Sequence, residues 1–106
     1  AEGSQAVAAR VALARAVQTN RYEGTDARTN ADVDGEALET AAAPDPDARS
    51  LLSEAADRLK LTARGYHRVL RVARTLADMD EATADGPVRR IHIAEALSYR
   101  RVVPGG

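Results

Sequence analysis

The chain has 106 residues, which is enough for one small domain and too short for two. It contains no cysteine, and its only histidines are His67 and His92, so a disulfide framework, a thiolate metal site and a histidine-rich metal site are excluded. Its 15 basic and 16 acidic residues nearly cancel, which argues against a strongly basic nucleic-acid binder. No apolar run reaches the about 18 residues that a membrane-spanning helix needs.

Apolar spacing predicts an all-α fold, a small bundle of four main helices plus one short helix. The chain has no Phe or Trp, and its many alanines together with Leu, Val and Ile favour closely packed helices over a sheet. Apolar residues recur at helical spacing from Val7 to Val17. They predict a first helix over residues 5–20, with Ser4 as its N-cap.

The stretch after the first helix is acidic and rich in Gly, Thr, Asp and Asn. Residues 21–33 show no helical spacing and predict a mobile loop. We expect Asp34 to cap a short helix over residues 36–42, which ends before Pro44 because proline cannot continue a helix.

The start signals of the next two helices are stronger. Asp45 as N-cap with Pro46 at the first helical position predicts a third helix. We expect it to end near Leu59, because Thr62 is suited to cap a fourth helix that runs to about Met79. The chain then continues through a turn at Asp85 and Gly86, a final helix over residues 91–99 and a frayed tail over residues 101–106.

The fourth predicted helix carries arginines that core packing does not explain. At about 100° per residue, we expect a stripe on the side opposite the apolar residues, formed by Arg64, Arg68, Arg71 and Arg74. Such a stripe needs an anionic partner or solvent. His67 lies beside it and is a further candidate contact to an anion or DNA, although a histidine at this boundary is more often a packing residue.

Arg64 stands out among these arginines. It lies in the first turn of its helix, where backbone N–H groups already attract anions. The next residue, Gly65, costs roughly 1 kcal/mol in a helix relative to alanine, which suggests that something approaches the backbone closely. The alternative is that Arg64 pairs with a nearby carboxylate, Glu54 or Asp57. The residues alone leave both open.

A DNA-binding helix-turn-helix is a second interpretation of this segment. A helix ending near Leu59, a tight turn and a helix with exposed arginines would place those arginines against phosphates or guanine edges. The turn lacks the usual glycine, and the chain is acidic overall, so the signal is weak by itself.

Catalytic motifs are absent. No P-loop, no Gly-x-Ser-x-Gly elbow and no zincin pair occurs, so we expect that the chain alone is not an enzyme. Asp78 and Asp80 form a pair of carboxylates, but their place at a helix end predicts a solvated surface. His92, at the start of the last helix, is interpreted as a cap or packing residue.

Two long segments resemble the C-terminal domain of magnesium-chelatase-like AAA+ ATPases, in particular the YifB or ComM subfamily. They are residues 61–78 (LTARGYHRVLRVARTLAD) and residues 91–100 (IHIAEALSYR). Further similarity lies at Arg10-Val11 and at Asn30-Ala31, so the resemblance covers nearly the whole chain. The family commonly has glycine where Lys60 stands, at a helix C-terminus where a left-handed residue is favoured.

The resemblance implies that residues 1–106 form a single helical C-terminal lid domain of a longer AAA+ protein. The Thr62-Ala63-Arg64 segment is similar to the sensor-2 motif, whose arginine reaches the γ-phosphate of ATP, and this role falls on Arg64. ATP and Mg²⁺ would be held by the AAA+ core of that protein, and neither by this chain alone. The expected partners are that core and the neighbouring subunits of a hexamer.

Members of the family act on different substrates. ComM-like proteins resemble hexameric DNA motors that extend strand exchange, whereas magnesium chelatase subunits drive metal insertion into a porphyrin. The match over residues 61–78 favours the ComM-like group and makes DNA a further expected partner, with the lid of a magnesium chelatase ATPase subunit as the alternative. We expect a cytoplasmic location and no membrane partner.

Overall fold

A computed structural model of the chain describes residues 3–84 and 86–100. Over these residues the protein is all-α, which confirms the predicted bundle of four main helices plus one short one. The helices are α1 (Ser4–Arg21), α2 (Gly35–Ala42), α3 (Pro46–Leu59), α4 (Ala63–Asp78) and α5 (Arg90–Arg100), and a 3₁₀ helix (Asn30–Asp32) lies between α1 and α2. The predicted turn at Asp85 and the tail over residues 101–106 fall outside the described residues.

Side-chain caps begin α3 and α4 where the sequence predicts them. The Oδ1 atom of Asp45 accepts a hydrogen bond from the Ala48 N–H at 2.8 Å, and Pro46 is the first residue of α3. The Oγ1 atom of Thr62 accepts a hydrogen bond from the Gly65 N–H at 3.0 Å and begins α4. Both caps satisfy N–H groups that have no partner within the helix.

Three helix ends depart from this pattern. The predicted cap at Ser4 is wrong, because α1 begins at that residue and Gly3 occupies the N-cap. Asp34 occupies the N-cap of α2, but its side chain makes no capping hydrogen bond. Ala43 and Lys60 end α2 and α3 in the left-handed region, at φ of 41° and 54°. Lys60 therefore takes the conformation that favours glycine.

The predicted loop over residues 21–33 contains an ordered 3₁₀ turn. The Oδ2 atom of Asp32 accepts a hydrogen bond from the Thr29 N–H at 3.0 Å, and Thr29 caps the turn in return. Asn30 within it is buried. The mobility of the segment stays a prediction, but this part of it is anchored to the bundle.

The core lies between α4 and the helices packed around it. α4 packs on α5, α2 and α1, and α3 packs on α5. The fully buried apolar side chains include one from each of α2 to α5 and one from the segment before α5: Leu38, Leu52, Leu70, Ile93 and Val88. α1 meets the bundle through its second half alone, because Ala14 and Gln18 are buried while residues 4–12 are exposed. No helix among the described residues has the length and apolar content needed to cross a bilayer.

Candidate anion-binding site at the start of α4

The structure divides the predicted arginine stripe of α4 into an exposed and a buried part. Arg64 and Arg68 are exposed, Arg71 is half-buried and Arg74 is only 2% exposed. The prediction that Arg74 contacts an anion or DNA is therefore wrong. Arg74 follows Arg64 by ten positions, and ten steps of about 100° turn it about 80° away from Arg64, towards the core.

The side chain of Arg74 links several segments inside the bundle through hydrogen bonds. Its Nε donates to Asp78 Oδ1 at 3.0 Å, one helical turn further along α4. Its Nη1 donates to the carbonyl oxygens of Ala41 at 3.2 Å and Gly86 at 2.9 Å, and its Nη2 donates to that of Thr83 at 3.3 Å. Burial lowers the pKa of Arg74, but an arginine stays charged in proteins. The backbone oxygens therefore take over the solvation of this cation.

Asp78 is also placed differently from its prediction. It is fully buried, and only Asp80 of the predicted solvated pair is exposed. Arg21 donates from Nη1 to Asp78 Oδ2 at 2.8 Å and from Nη2 to Oδ1 at 2.7 Å. The Nδ2 of Asn30 donates to Oδ2 at 2.9 Å. The hydrogen bond to Asp78 raises the pKa of Arg21, because it favours the charged guanidinium.

Sequence reasoning missed this buried network, although one signal was present. Arg74 and Asp78 are four positions apart on α4, the spacing at which opposite charges pair along a helix. The spacing of residues does not predict that Arg21 and Asn30 join this network, because both lie far from Asp78 in the chain.

Arg71 is only partly free to contact a ligand. Its Nη2 donates to the Val33 carbonyl oxygen at 3.0 Å and lies 3.4 Å from Asp34 Oδ1, and its Nε is buried without a hydrogen-bond partner. The Asp34 side chain therefore faces Arg71 and makes no capping hydrogen bond to α2. Arg71 therefore holds the segment before α2 against α4.

Arg64 and Arg68 remain as exposed cations of α4. Neither side chain forms a hydrogen bond or ion pair within the described residues. The alternative predicted from the sequence, an ion pair of Arg64 with Glu54 or Asp57, is accordingly not formed. Arg64 is the second residue of α4, at the positive end of the helix dipole. An anion placed there would meet a guanidinium and free backbone N–H groups together.

Gly65 is not required by the fold of the described chain. A Cβ atom added there would lie 3.4 Å from Thr62 Oγ1 and 3.8 Å from Leu61 Cδ2, which are ordinary contact distances. No left-handed φ is present at this position either. The chain's own neighbours therefore do not explain the glycine that accompanies Arg64.

The two histidines have packing and capping roles. The ring of His67 contacts the Tyr66 ring edge-on, with 5.7 Å between centroids, as expected for a boundary packing residue. The Nδ1 of His92 accepts a hydrogen bond from the Arg89 N–H at 2.9 Å, which confirms its predicted role as a cap. Burial lowers the pKa of His92. Within the described residues, no group of His, Cys, Asp and Glu side chains is arranged to hold a metal ion.

Further exposed cations surround the turn between α3 and α4. We call these exposed residues near the turn the basic corner, and they are Arg58, Lys60, Arg64 and Arg68. None of them forms an ion pair with a carboxylate of the described chain. The basic corner can therefore accept an anion without breaking an existing salt bridge.

The fold and the basic corner define a small helical domain that presents an unpaired arginine at a helix start. Residues 1–100 match the protein-family model described as "Magnesium chelatase, subunit ChlI C-terminal". The chain thus belongs to the family of magnesium chelatase C-terminal domains, and its partial match to a ComM protein, given below, supports the ComM/YifB subfamily within it.

Curated relatives come from mycobacteria and from Haemophilus. The chain is 40% identical over 100 residues to an uncharacterized protein of Mycobacterium tuberculosis and to one of Mycobacterium bovis, covering 94% of the chain and 19% of each relative. It is 42% identical over 52 residues to the competence protein ComM of Haemophilus influenzae, covering 49% of the chain and 10% of ComM. No solved structure matches. The chain spans about a fifth of the length of the mycobacterial relatives.

Proposed function

We propose that this chain is the helical lid of a ComM-type AAA+ ATPase, and that Arg64 contacts the terminal phosphate of ATP. The observation that carries the proposal is the state of Arg64, which is exposed, unpaired and in the first turn of α4. Arginine suits this task, because its planar guanidinium meets a phosphate with two parallel hydrogen bonds. No salt bridge has to break before it does so.

The role of Arg64 would be electrostatic. A guanidinium beside the terminal phosphate stabilises the charge that spreads over the phosphate oxygens during transfer. Loss of the phosphate removes that contact, so the lid would shift with the nucleotide state. ATP and Mg²⁺ would be held by the AAA+ core of the longer protein, and this chain alone would not catalyse hydrolysis. We place the motor in the cytoplasm as a hexamer.

ATP turnover by the full-length protein tests this role. We expect Arg64→Ala to lower kcat by about 10²-fold, comparable to the loss of one charge-stabilising donor. The matched control is Arg68→Ala, which removes a second exposed and unpaired arginine one helical turn further along α4. Helical content and oligomer formation are compared in each variant. Unchanged turnover in Arg64→Ala, or equal losses in both variants, would contradict the proposal.

DNA binding at the basic corner is the second candidate. Four exposed cations without ion pairs favour DNA binding. Against it, Arg74 is buried and Arg71 has contacts within the bundle, so fewer arginines of α4 are available to DNA than the sequence predicted. We expect Arg58→Ala and Arg68→Ala to weaken duplex binding by the full-length protein, each reducing the slope of log K against log salt by about 1. Equal affinity in wild type and variants would remove this candidate. The resemblance to ComM-like proteins, rather than to magnesium chelatase subunits, makes DNA the output that we propose over porphyrin metallation.

A further inference from the structure

The first turn of α4 is joined to two neighbouring helices by a chain of polar contacts. The Tyr66 hydroxyl donates to Glu39 Oε1 at 3.2 Å, and Arg49 donates from Nη2 to Glu39 Oε2 at 3.0 Å. Glu39 belongs to α2, Arg49 to α3 and Tyr66 to α4. One carboxylate thus joins three helices at the turn that also carries Arg64.

Tyr66 is suited to anchor this turn. Its side chain is half-buried and packs against the hydrophobic core. Burial is the largest cause that raises the pKa of Tyr66, and the charge of Glu39 raises it further. The hydroxyl therefore stays protonated at neutral pH. It donates to a carboxylate, and such a hydrogen bond is stronger than one between neutral groups.

The rest of the turn has no comparable anchor. The contact between Thr62 and the Gly65 N–H lies within the start of α4 itself. Arg64 has no partner, and Gly65 costs roughly 1 kcal/mol in a helix relative to alanine. Among the residues that the structure describes, Tyr66 is therefore the one side chain of the first turn that forms a hydrogen bond to another helix.

Arg64 and Tyr66 lie on opposite sides of α4. Two positions at about 100° each place them about 200° apart, in agreement with the exposure of Arg64 and the partial burial of Tyr66. A contact that holds Tyr66 against α2 therefore sets the rotation of the turn, and with it the direction in which Arg64 leaves the helix.

We propose that Tyr66 is a positioning residue, whose hydrogen bond to Glu39 holds the first turn of α4 in the orientation that brings Arg64 to the terminal phosphate. This inference rests on the proposed role of Arg64, and it assigns to Tyr66 no contact with the nucleotide. Precise placement matters for such a role, because a misplacement of about 1 Å in a reacting complex can cost about 10²-fold in rate. The Tyr66 hydroxyl would thus act on kcat through Arg64.

Phosphate release by the full-length protein carrying Tyr66→Phe tests this inference, because the variant keeps the ring and removes the hydroxyl. We expect kcat to fall by about fivefold, less than in Arg64→Ala, since the guanidinium is shifted rather than removed. In the Arg64→Ala background the same substitution should cause no further loss, because residues that act through one contact are not additive. The matched control is Tyr99→Phe, which removes a hydroxyl that donates to Glu95 Oε2 at 2.6 Å on α5 and should leave turnover unchanged.

Two substitutions of Glu39 separate its hydrogen bond with Tyr66 from its ion pair with Arg49. Glu39→Gln keeps an oxygen that can accept from the Tyr66 hydroxyl, so it should retain the wild-type kcat. Glu39→Ala removes the acceptor and should lower kcat as Tyr66→Phe does. Urea unfolding of each variant ensures that all of them are folded under the assay conditions.

Each result supports or overturns the inference. A loss in Tyr66→Phe and Glu39→Ala that Glu39→Gln does not share, and that vanishes without Arg64, supports it. Unchanged kcat in Tyr66→Phe beside a loss in Arg64→Ala overturns it and leaves the proposed function standing. An equal fold loss with and without Arg64, or a comparable loss in Tyr99→Phe, also overturns it, because the effect then does not pass through Arg64. Unchanged turnover in Arg64→Ala contradicts the proposed function and this inference together.

Discussion

Arg21 and Asp78 are 57 positions apart in the chain and form a bidentate ion pair, with N–O distances of 2.8 and 2.7 Å. Asp78 is fully buried and also accepts hydrogen bonds from Arg74 and Asn30. One carboxylate thus joins the end of α1, the 3₁₀ turn and α4. Buried ion pairs add little net stability compared with apolar packing, but removal of one partner leaves an uncompensated charge, which is costly.

We expect Asp78→Ala to lower the free energy of unfolding by about 3–5 kcal/mol, because Arg21 and Arg74 lose their shared anion inside the bundle. Urea unfolding followed by circular dichroism measures the change. Glu81→Ala is the control, since Glu81 is exposed and forms no ion pair within the described chain; it should change stability by less than about 0.5 kcal/mol. Similar values for the two variants would contradict a special role of Asp78.

We expect Lys60→Gly to raise the free energy of unfolding by about 0.5–1 kcal/mol. Lys60 adopts φ of 54°, and a residue with a Cβ atom pays a steric cost there that glycine does not. The control is Arg58→Gly, two positions earlier in the last turn of α3, which should lower stability by about 1 kcal/mol. Thermal unfolding ranks the three proteins, and a loss of stability in Lys60→Gly would refute the argument from backbone strain.

Gly65→Ala separates folding from function at the start of α4. An alanine Cβ fits at ordinary contact distances, so we expect a gain of about 1 kcal/mol in the free energy of unfolding. If phosphate approaches the backbone at this turn, the same variant should lose ATP turnover in the full-length protein. Stability is read from urea unfolding and turnover from phosphate release. A variant that is more stable and fully active would show that no ligand needs the space beside Gly65.

We expect the stability of the protein to fall as pH decreases below 6.5, the ordinary pKa of histidine. Burial is the largest cause that lowers the pKa of His92 in the folded state, followed by the charge of Arg74. The unfolded chain then binds a proton that the folded chain resists, so stability is lost from pH 6.5 downwards, by up to about 1.4 kcal/mol per pH unit. In the structure, Nδ1 of His92 must stay unprotonated to accept from the Arg89 N–H.

Urea unfolding between pH 5 and 8 measures this dependence. His92→Gln should be less stable at neutral pH and should show a flatter profile between pH 5 and 6.5, because the titrating group is gone. His67→Gln serves as the control for replacing a histidine elsewhere on the bundle. A slope that persists unchanged in His92→Gln would assign the effect to other groups.

Several elements were predictable because their causes are local. The starts of α3 and α4 followed from Asp45 and Thr62, whose side chains bond to N–H groups three positions ahead. The cap at Ser4 was wrong because the residue before it can begin a helix without a side-chain bond. The 3₁₀ turn was missed because the burial of Asn30 depends on α1 and α4, from which the loop sequence is far removed.

The amino-acid sequence by itself determined the family, the all-α class and the order of the helices, because apolar spacing and caps depend on residues three or four positions apart. Only the tertiary structure decided which arginines of α4 reach solvent. Arg74 can be buried because Asp78 and backbone oxygens from distant segments compensate its charge, and a buried charge without such partners costs several kcal/mol. Arg64 has no such partners within the described chain, so it stays exposed.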